Sequence, residues 1–217
     1  ARTDGDGSRG LSCFLVPGDA PGLGVSSHED KMGLRASHTV ALTFDGVRLP
    51  ASALLGQRGG GFPIAMMALD GGRIGIASQA IGIATGAYDA ALAWMGSNEA
   101  GRSQANLFRL ADMATELDAA RLLALRAAHL KEDGRSFTRE ASIAKAFATE
   151  AAWRVCHQAV DIVGHDALVR GHRIERTLRD VRVTRIYSGT SDVHPLVSGR
   201  GESATGCSPP DHGQEDA

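Results

Sequence analysis

The stretch from Ile64 to Met95 constrains this chain more than any other. It is long and apolar on most faces, carrying Met66, Met67, Leu69, Ile74, Ile76, Ile81, Ile83, Tyr88, Leu92 and Trp94. A helix that is apolar all round must be covered all round, so it is expected at the centre of a bundle or at an oligomer interface. The flexible joint 57–61 precedes it, and Phe62-Pro63 starts it, with proline near the first position, where a missing N–H costs little. Gly71-Gly72 lies inside it, at a cost of about 1 kcal/mol per glycine relative to alanine. Either something approaches the backbone closely between Asp70 and Arg73, or the pair marks a kink or tight helix contact.

The rest of the chain is organised around that helix. A second helix is expected from Ala105 to about Lys131, with Leu107, Leu110, Met113, Ala114, Leu117 and Leu125 as its apolar stripe. Arg109, Asp112 and Glu116 form a solvated charged row on it. Asp133-Gly134 closes this helix, and Thr138 is the N-cap of a third, whose stripe runs Ile143, Phe147, Ala151, Val155, Ala159, Ile162 and ends at Gly164. A short element covers Ile174 to Arg182. Gly189 then breaks the pattern, and Thr190 or Ser191 caps a final short helix with Pro195 in its first turn. Ahead of the helices, residues 9–56 read as short strands and turns: Leu11 to Val16, Thr39 to Phe44, and Val47 to Pro50. The expected architecture is mainly α, an up-down helical bundle preceded by a partial antiparallel β domain. Its divisions are 1–58 for the β part, 59–198 for the bundle and 199–217 as a disordered tail lacking bulky apolar groups.

Composition excludes several classes. A net charge of −2 gives no support for nucleic-acid binding. No continuous apolar run reaches the roughly 18–20 residues of a membrane span. The first residues lack the apolar region of a signal peptide and an initiator Met, so the chain is read as a piece of something longer. Cys13, Cys156 and Cys207 have no CxxC spacing, and the expectation is reduced thiols in a cytoplasmic location. No phosphate-binding Walker loop, dinucleotide fingerprint or zinc pattern is present, and the eight histidines show no metal-ligand spacing.

One further stretch carries chemistry: Ile186-Tyr187-Ser188-Gly189-Thr190-Ser191-Asp192. A glycine, two hydroxyls and an acid at a helix N-terminus present free N–H groups and a positive dipole end, which suits an anion; a plain N-cap is the commoner meaning of such a run. Its company raises its weight. Leu69-Asp70-Gly71-Gly72-Arg73-Ile74-Gly75-Ile76-Ala77 resembles the acyl-CoA dehydrogenase family signature, as does Leu110-Ala111-Asp112-Met113-Ala114-Thr115-Glu116-Leu117. Further resemblances are Lys31-Met32-Gly33-Leu34-Arg35-Ala36-Ser37, Asp45-Gly46-Val47-Arg48-Leu49-Pro50, and Arg179-Asp180 with Ile186-Tyr187. They run in the family's order from about residue 1 to residue 197 and cover the end of its middle β domain plus its C-terminal helical bundle.

The resemblance implies oxidation of an acyl-CoA thioester to the 2,3-enoyl-CoA. A carboxylate removes the α-proton while the β-hydrogen leaves as hydride to FAD. It implies acyl-CoA contacts at Asp70, Gly71, Gly72, Arg73 and Gly189, and FAD contacts at Gln104, Gly164, Thr190, Ser191 and Asp192. Partners implied are a homodimer or homotetramer, with sites built across subunits, and electron-transfer flavoprotein or a similar acceptor. FAD binding by this chain alone is expected to be weak or absent, because most of the flavin pocket belongs to the part of the family not covered.

Departures from the family pattern bear on activity. The catalytic base position, glutamate in the family's Tyr-Glu-Gly-Thr run, is Ser188, and a serine hydroxyl is no unassisted base at neutral pH. The alternative base position on the long helix, just before Arg73, is Gly72. The FAD-holding loop before the second helix is reduced to Gly101-Arg102-Ser103-Gln104, and the family's Gln-x-x-Gly-Gly turn reads Asp161-Ile162-Val163-Gly164-His165. After Val197 the family's last helix is not recognisable. Asp192 is a weak candidate for a displaced base, with a helix-cap acid near the nucleotide the preferred reading. His194 is expected at the surface, and His157 and His165 as exposed or capping. These departures leave two readings: a flavin oxidoreductase with a missing base, or a non-catalytic binding, oligomerisation or partner-dependent module of the same family.

Overall fold

The computed structural model describes residues 1–205. Two small antiparallel ribbons come first. Strands β1 (Cys13–Phe14) and β4 (Leu54–Leu55) pair with Cys13 opposite Leu55, and β2 (Leu23–Val25) and β3 (Leu42–Phe44) pair with Gly24 opposite Thr43. The partial, antiparallel character is as expected, but the expected strand at Val47 to Pro50 is replaced by a 3-10 turn at Ala51–Ala53 leading into β4. Helices α1 (Gly61–Ser97), α2 (Gln104–Glu132) and α3 (Thr138–Val163) follow, then α4 (Arg173–Val181) and α5 (Val193–Thr205).

The three long helices alternate in direction. Arg126 and Arg154 pair with Glu140 and Glu116, so α2 and α3 run antiparallel, while Arg73 meets Ser142 and Asp70 meets Thr138, so α1 runs alongside α3 in the same direction. The core is built from small residues: Ala77, Ala80, Ala84, Ala87 and Ala91 of α1 face Ala141, Ala144, Ala148, Ala152 and Ala159 of α3 within one apolar cluster. Alanine brings helix axes close, which explains a well-filled interior with few aromatics.

The central helix is α3, which packs on α1, α2, α4 and α5. Of the two places expected for α1, the bundle centre belongs instead to α3, and the apolar residues of α1 divide. Ala77 to Met95 turn inward, while Met66, Leu69 and Leu92 are exposed and Met67 is 65% exposed. The α2 stripe is also rotated from its expected register. Leu110, Met113 and Leu117 are buried, whereas Leu107 and Leu125 face outward with Phe108. The charged row on α2 is not simply solvated, since Glu116 reaches Arg154 of α3 at 2.6 Å and Arg109 donates to Asn106 at 3.0 Å. Thr138 is the first residue of α3 rather than its cap, and its hydroxyl goes to Asp70. The tail expectation changes as well: residues 199–205 continue α5, and 206–217 lie outside the described residues.

The β part is fastened to the bundle at two places: the Gly61 N–H at the start of α1 donates to the Leu11 carbonyl at 2.8 Å, and the 32–34 segment is held on α4. Leu34 N–H donates to the Asp180 carboxylate at 2.6 Å, and Arg179 donates to the Met32 carbonyl at 2.7 Å. Gly33 lies between them against the α4 backbone, where an added methyl would come within 2.8 Å of Asp180 Cα.

Candidate functional site

The 186–192 turn connects the end of α4 to α5 and is seated on α3. Ser188 has φ 54° and Gly189 φ 99°, so the turn is left-handed at two successive residues. For a non-glycine residue this conformation costs roughly 1–2 kcal/mol, so Ser188 must be held there by its surroundings. The holding groups are visible. Lys145 Nζ donates to the Gly189 carbonyl at 2.6 Å, and His194 Nε2 lies 3.0 Å from the same oxygen. Ser191 Oγ donates to Glu150 at 2.7 Å, Arg185 donates to the same Glu150 oxygen at 2.7 Å, and Tyr187 Oη donates to Gln79 of α1. The α5 helix starts at Val193, whose N–H reaches the Thr190 carbonyl at 3.0 Å, so the Ser191 hydroxyl is committed to Glu150 and Pro195 sits in the first turn as expected.

His194 corrects the sequence expectation: it is 1% exposed, not a surface group. Its ring packs on Gly189, where a built methyl would meet His194 Nε2 at 3.2 Å, and its Nδ1 has no partner. Burial first, and then the nearby Lys145 ammonium, push the His194 pKa down, which keeps the ring neutral.

Lys145 was not singled out by sequence reasoning, yet it is 0% exposed. A signal existed: Lys145 falls four residues after Ala141 and three before Ala148, on the buried face of α3. Burial lowers its pKa to about 8, with Glu150 pulling it back up and Arg73 lowering it further. The unfolded chain releases this proton near 10.5, the folded protein near 8, so between those values the unfolded state binds more protons. Lys145 therefore makes stability rise with pH across that window, and its burial cost is fully present below about pH 8. Urea unfolding from pH 7 to 10.5 should show the wild type gaining stability relative to Lys145→Met by more than ten-fold in the folding constant; parallel curves for the two would contradict this placement.

Arg73 and Asp70 turn inward rather than outward. Arg73 Nη1 bonds the Asp70 carboxylate at 2.7 Å and Ser142 Oγ at 3.1 Å, while its buried Nε has no partner. Asp70 also accepts from Thr138 at 2.5 Å. Of the glycine pair between them, Gly72 faces open space, and Gly71 lies under Lys131 Nζ. A groove of about 610 Å³ lined by Ile64, Met67, Ala68, Gly71, Lys131 and Phe137 opens there.

The remaining candidates fall elsewhere. Gln104 is the exposed first residue of α2, capped by Ser103, and Gly164 is the exposed left-handed residue that ends α3. Because α2 and α3 are antiparallel, these two share one end of the bundle. Ser191 sits beside Glu150, and the fourteen helical steps from there to Gly164 span about 20 Å. Thr190 and Asp192 are exposed. The structure thus brings Arg73, Lys145, Gly189 and Ser191 to one end of α3 and leaves Gln104 and Gly164 at the other. His165 is exposed, and His157 Nδ1 donates to the Trp153 carbonyl at 2.8 Å. Cys13 and Cys156 are free thiols, and burial raises the Cys156 pKa to about 12. Among the described residues no group of three or more His, Cys, Asp or Glu could hold a metal, and no helix is long and apolar enough to cross a membrane.

Comparison with known proteins agrees with this architecture. Residues 59–202 match the model of the acyl-CoA dehydrogenase C-terminal domain. The chain is 49% identical over 195 residues to the mitochondrial short-chain specific acyl-CoA dehydrogenase of Bos taurus, covering 88% of this chain and 47% of that protein. It superposes on butyryl-CoA dehydrogenase from Megasphaera elsdenii with TM-score 0.90 at 40% identity, covering 94% of this chain and 55% of that one. A chain from the structure of the electron transferring flavoprotein of Acidaminococcus fermentans matches with TM-score 0.88 at 41% identity, covering 90% and 53%. The chain spans about half the length of these relatives, and over that half its sequence and its fold agree with theirs. It belongs to the acyl-CoA dehydrogenase family, of which it represents the C-terminal region.

Proposed function

We propose that this chain is the C-terminal half of an FAD-linked acyl-CoA oxidoreductase whose proton-abstracting position is occupied by Ser188. The observation that carries the reading is the 186–192 turn. It keeps a left-handed, doubly anchored conformation at the residue where the family places its base, while the side chain there has no carboxylate. The bound flavin would supply hydride acceptance. The chain's own residues would hold the thioester and the nucleotide, and they lack an efficient group to take the α-proton. Asp192 is exposed at the helix start, where an acid serves as a dipole partner, and it is not assigned the base role.

The donor set fits FAD only in part. Thr190, with the N–H groups that open α5, offers an anion-facing edge, but Ser191 is already engaged by Glu150 and Asp161 places an exposed acid near Gly164. The two sets of candidates, Thr190 to Asp192 and Gln104 with Gly164, lie about 20 Å apart along α3. Sites in this family are built across subunits, and a second copy of the chain would bring the two sets to one nucleotide, in keeping with a homodimer or homotetramer. The outward Met67, Leu107, Phe108 and Leu122 supply apolar surface for such assembly. On the substrate side, the groove beside Gly71 suits the thin pantetheine chain of a CoA thioester, with the Lys131 ammonium available to its phosphates.

A second reading is favoured by the same Ser188: a module that binds CoA thioesters and oligomerises without oxidising them. One titration puts both at risk. The purified chain, with and without added FAD, is titrated with butyryl-CoA while flavin absorbance and bound ligand are followed. Tight thioester binding with little flavin retention and no bleaching is expected for the chain alone. Bleaching at rates typical of a dehydrogenase would overturn the missing-base reading, and absence of thioester binding would remove both readings. Electron-transfer flavoprotein is the acceptor to try where bleaching is seen.

A further inference from the structure

We propose that Lys145 and His194 act together as positioning residues for position 188, by converging two N–H donors on the single Gly189 carbonyl and so holding the Ser188-Gly189 turn left-handed. The two donors come from different helices. Lys145 belongs to α3 and His194 to the first turn of α5, so the carbonyl is gripped from both sides of the turn at 2.6 and 3.0 Å. Both side chains are essentially without solvent exposure. A buried lysine ammonium is costly unless its donors are used, and the Gly189 carbonyl is the acceptor it has. The grip also sets the histidine tautomer. With Nε2 on a carbonyl, the proton sits on Nε2, and Nδ1 is left as the buried nitrogen without a partner.

The rest of the surroundings fits a clamp and not a general packing role. Gly189 has no side chain to separate it from the imidazole, and a methyl there would press on the ring at 3.0 Å from Cε1. Ser191 and Tyr187 fasten the turn's two flanks to Glu150 and Gln79, and among the described residues Lys145 and His194 are the donors that hold the Gly189 carbonyl. Without the clamp, Ser188 would relax from φ 54° toward the ordinary negative region, re-aiming its side chain. That position 188 is the family's base site rests on the proposed function above; the clamp does not.

The test uses the full 217-residue chain and needs neither flavin nor thioester, so its outcome is independent of the enzymatic reading. Amide hydrogen exchange is compared between the 187–192 turn and the bodies of α1 and α3. Lys145→Met combined with His194→Leu should speed exchange in the turn by about ten-fold or more, from the loss of hydrogen bonds of which one is charged, with α1 and α3 changed much less. Lys145→Arg, which keeps a donor, should restore protection to within about two-fold. Nitrogen NMR of His194 should report a neutral ring protonated on Nε2 in the wild type and in Lys145→Arg. Should the double variant fail to fold, His194→Leu alone carries the test, with a turn-confined acceleration of about three-fold expected. Uniform acceleration across α1, α3 and the turn, an unchanged turn, or a proton on Nδ1 would each overturn the clamp.

Discussion

Ser188→Glu should raise the rate of butyryl-CoA-dependent flavin reduction by about 10²–10⁴-fold, the range that a correctly placed general base contributes. The measurement is made in a chimera in which residues 1–197 replace the matching part of the Megasphaera butyryl-CoA dehydrogenase, so that flavin is held by the other half. Residue 188 already sits at φ 54°, and glutamate tolerates that conformation no worse than serine, so the substitution adds a carboxylate without a new backbone cost. Lys145 and Arg73 lie at the same end of the bundle, and their charges favour an ionised carboxylate at neutral pH, the form that accepts a proton. Asp192→Ala in the same chimera should leave the rate of the Ser188→Glu protein within about three-fold, because an exposed acid at the α5 start acts only through the helix dipole. A chimera that binds flavin and thioester but gains nothing from Ser188→Glu would show that the turn does not face the reacting carbon.

The largest structural effect is expected at Gly33. A methyl there would stand 2.6 Å from the Arg179 carbonyl carbon and 2.8 Å from Asp180 Cα, both backbone atoms of α4 that cannot rotate away. Gly33→Ala should therefore cost about 2–3 kcal/mol, the upper part of the range for overpacking, and should break the Leu34–Asp180 hydrogen bond as the strands lift from α4. Urea unfolding reads the stability, and limited proteolysis between residues 20 and 58 reads the release of the β part. Gly72→Ala is the contrast: nothing lies within 4 Å of its added methyl, and it should stabilise α1 by about 0.5–1 kcal/mol. If Gly72→Ala also weakens butyryl-CoA binding, the glycine is there for the ligand and not for the fold. Equal stability of Gly33→Ala and wild type would mean that the β part is not docked on α4 as described.

The sequence by itself determined the helices, their order and the family. Apolar periodicity and the breaks at Asp133-Gly134, Gly164 and Gly189 are local properties, and they placed α1, α2 and α3 within a few residues of where they lie. Taken alone, Ser188 is an ordinary turn residue; only the resemblance to the family gives position 188 the expectation of a carboxylate. The tertiary structure alone decided which faces are covered. Met67 and Leu107 are as apolar as Ile81 and Leu110, and only the approach of α3 separates the buried pair from the exposed one. The same holds for charge. His194, at a helix start, reads as solvated, and the place of Lys145 on the buried face of α3 does not name its partner, because the sequence shows neither contact. Lys145 and His194 become buried donors only when the 186–192 turn folds back on α3 across more than forty residues of chain and brings one carbonyl between them. Spacing along α3 can mark Lys145 as buried, but a contact closed across so much chain leaves no periodic trace of its partner, so the packing of the helices alone decides what holds the turn around Ser188.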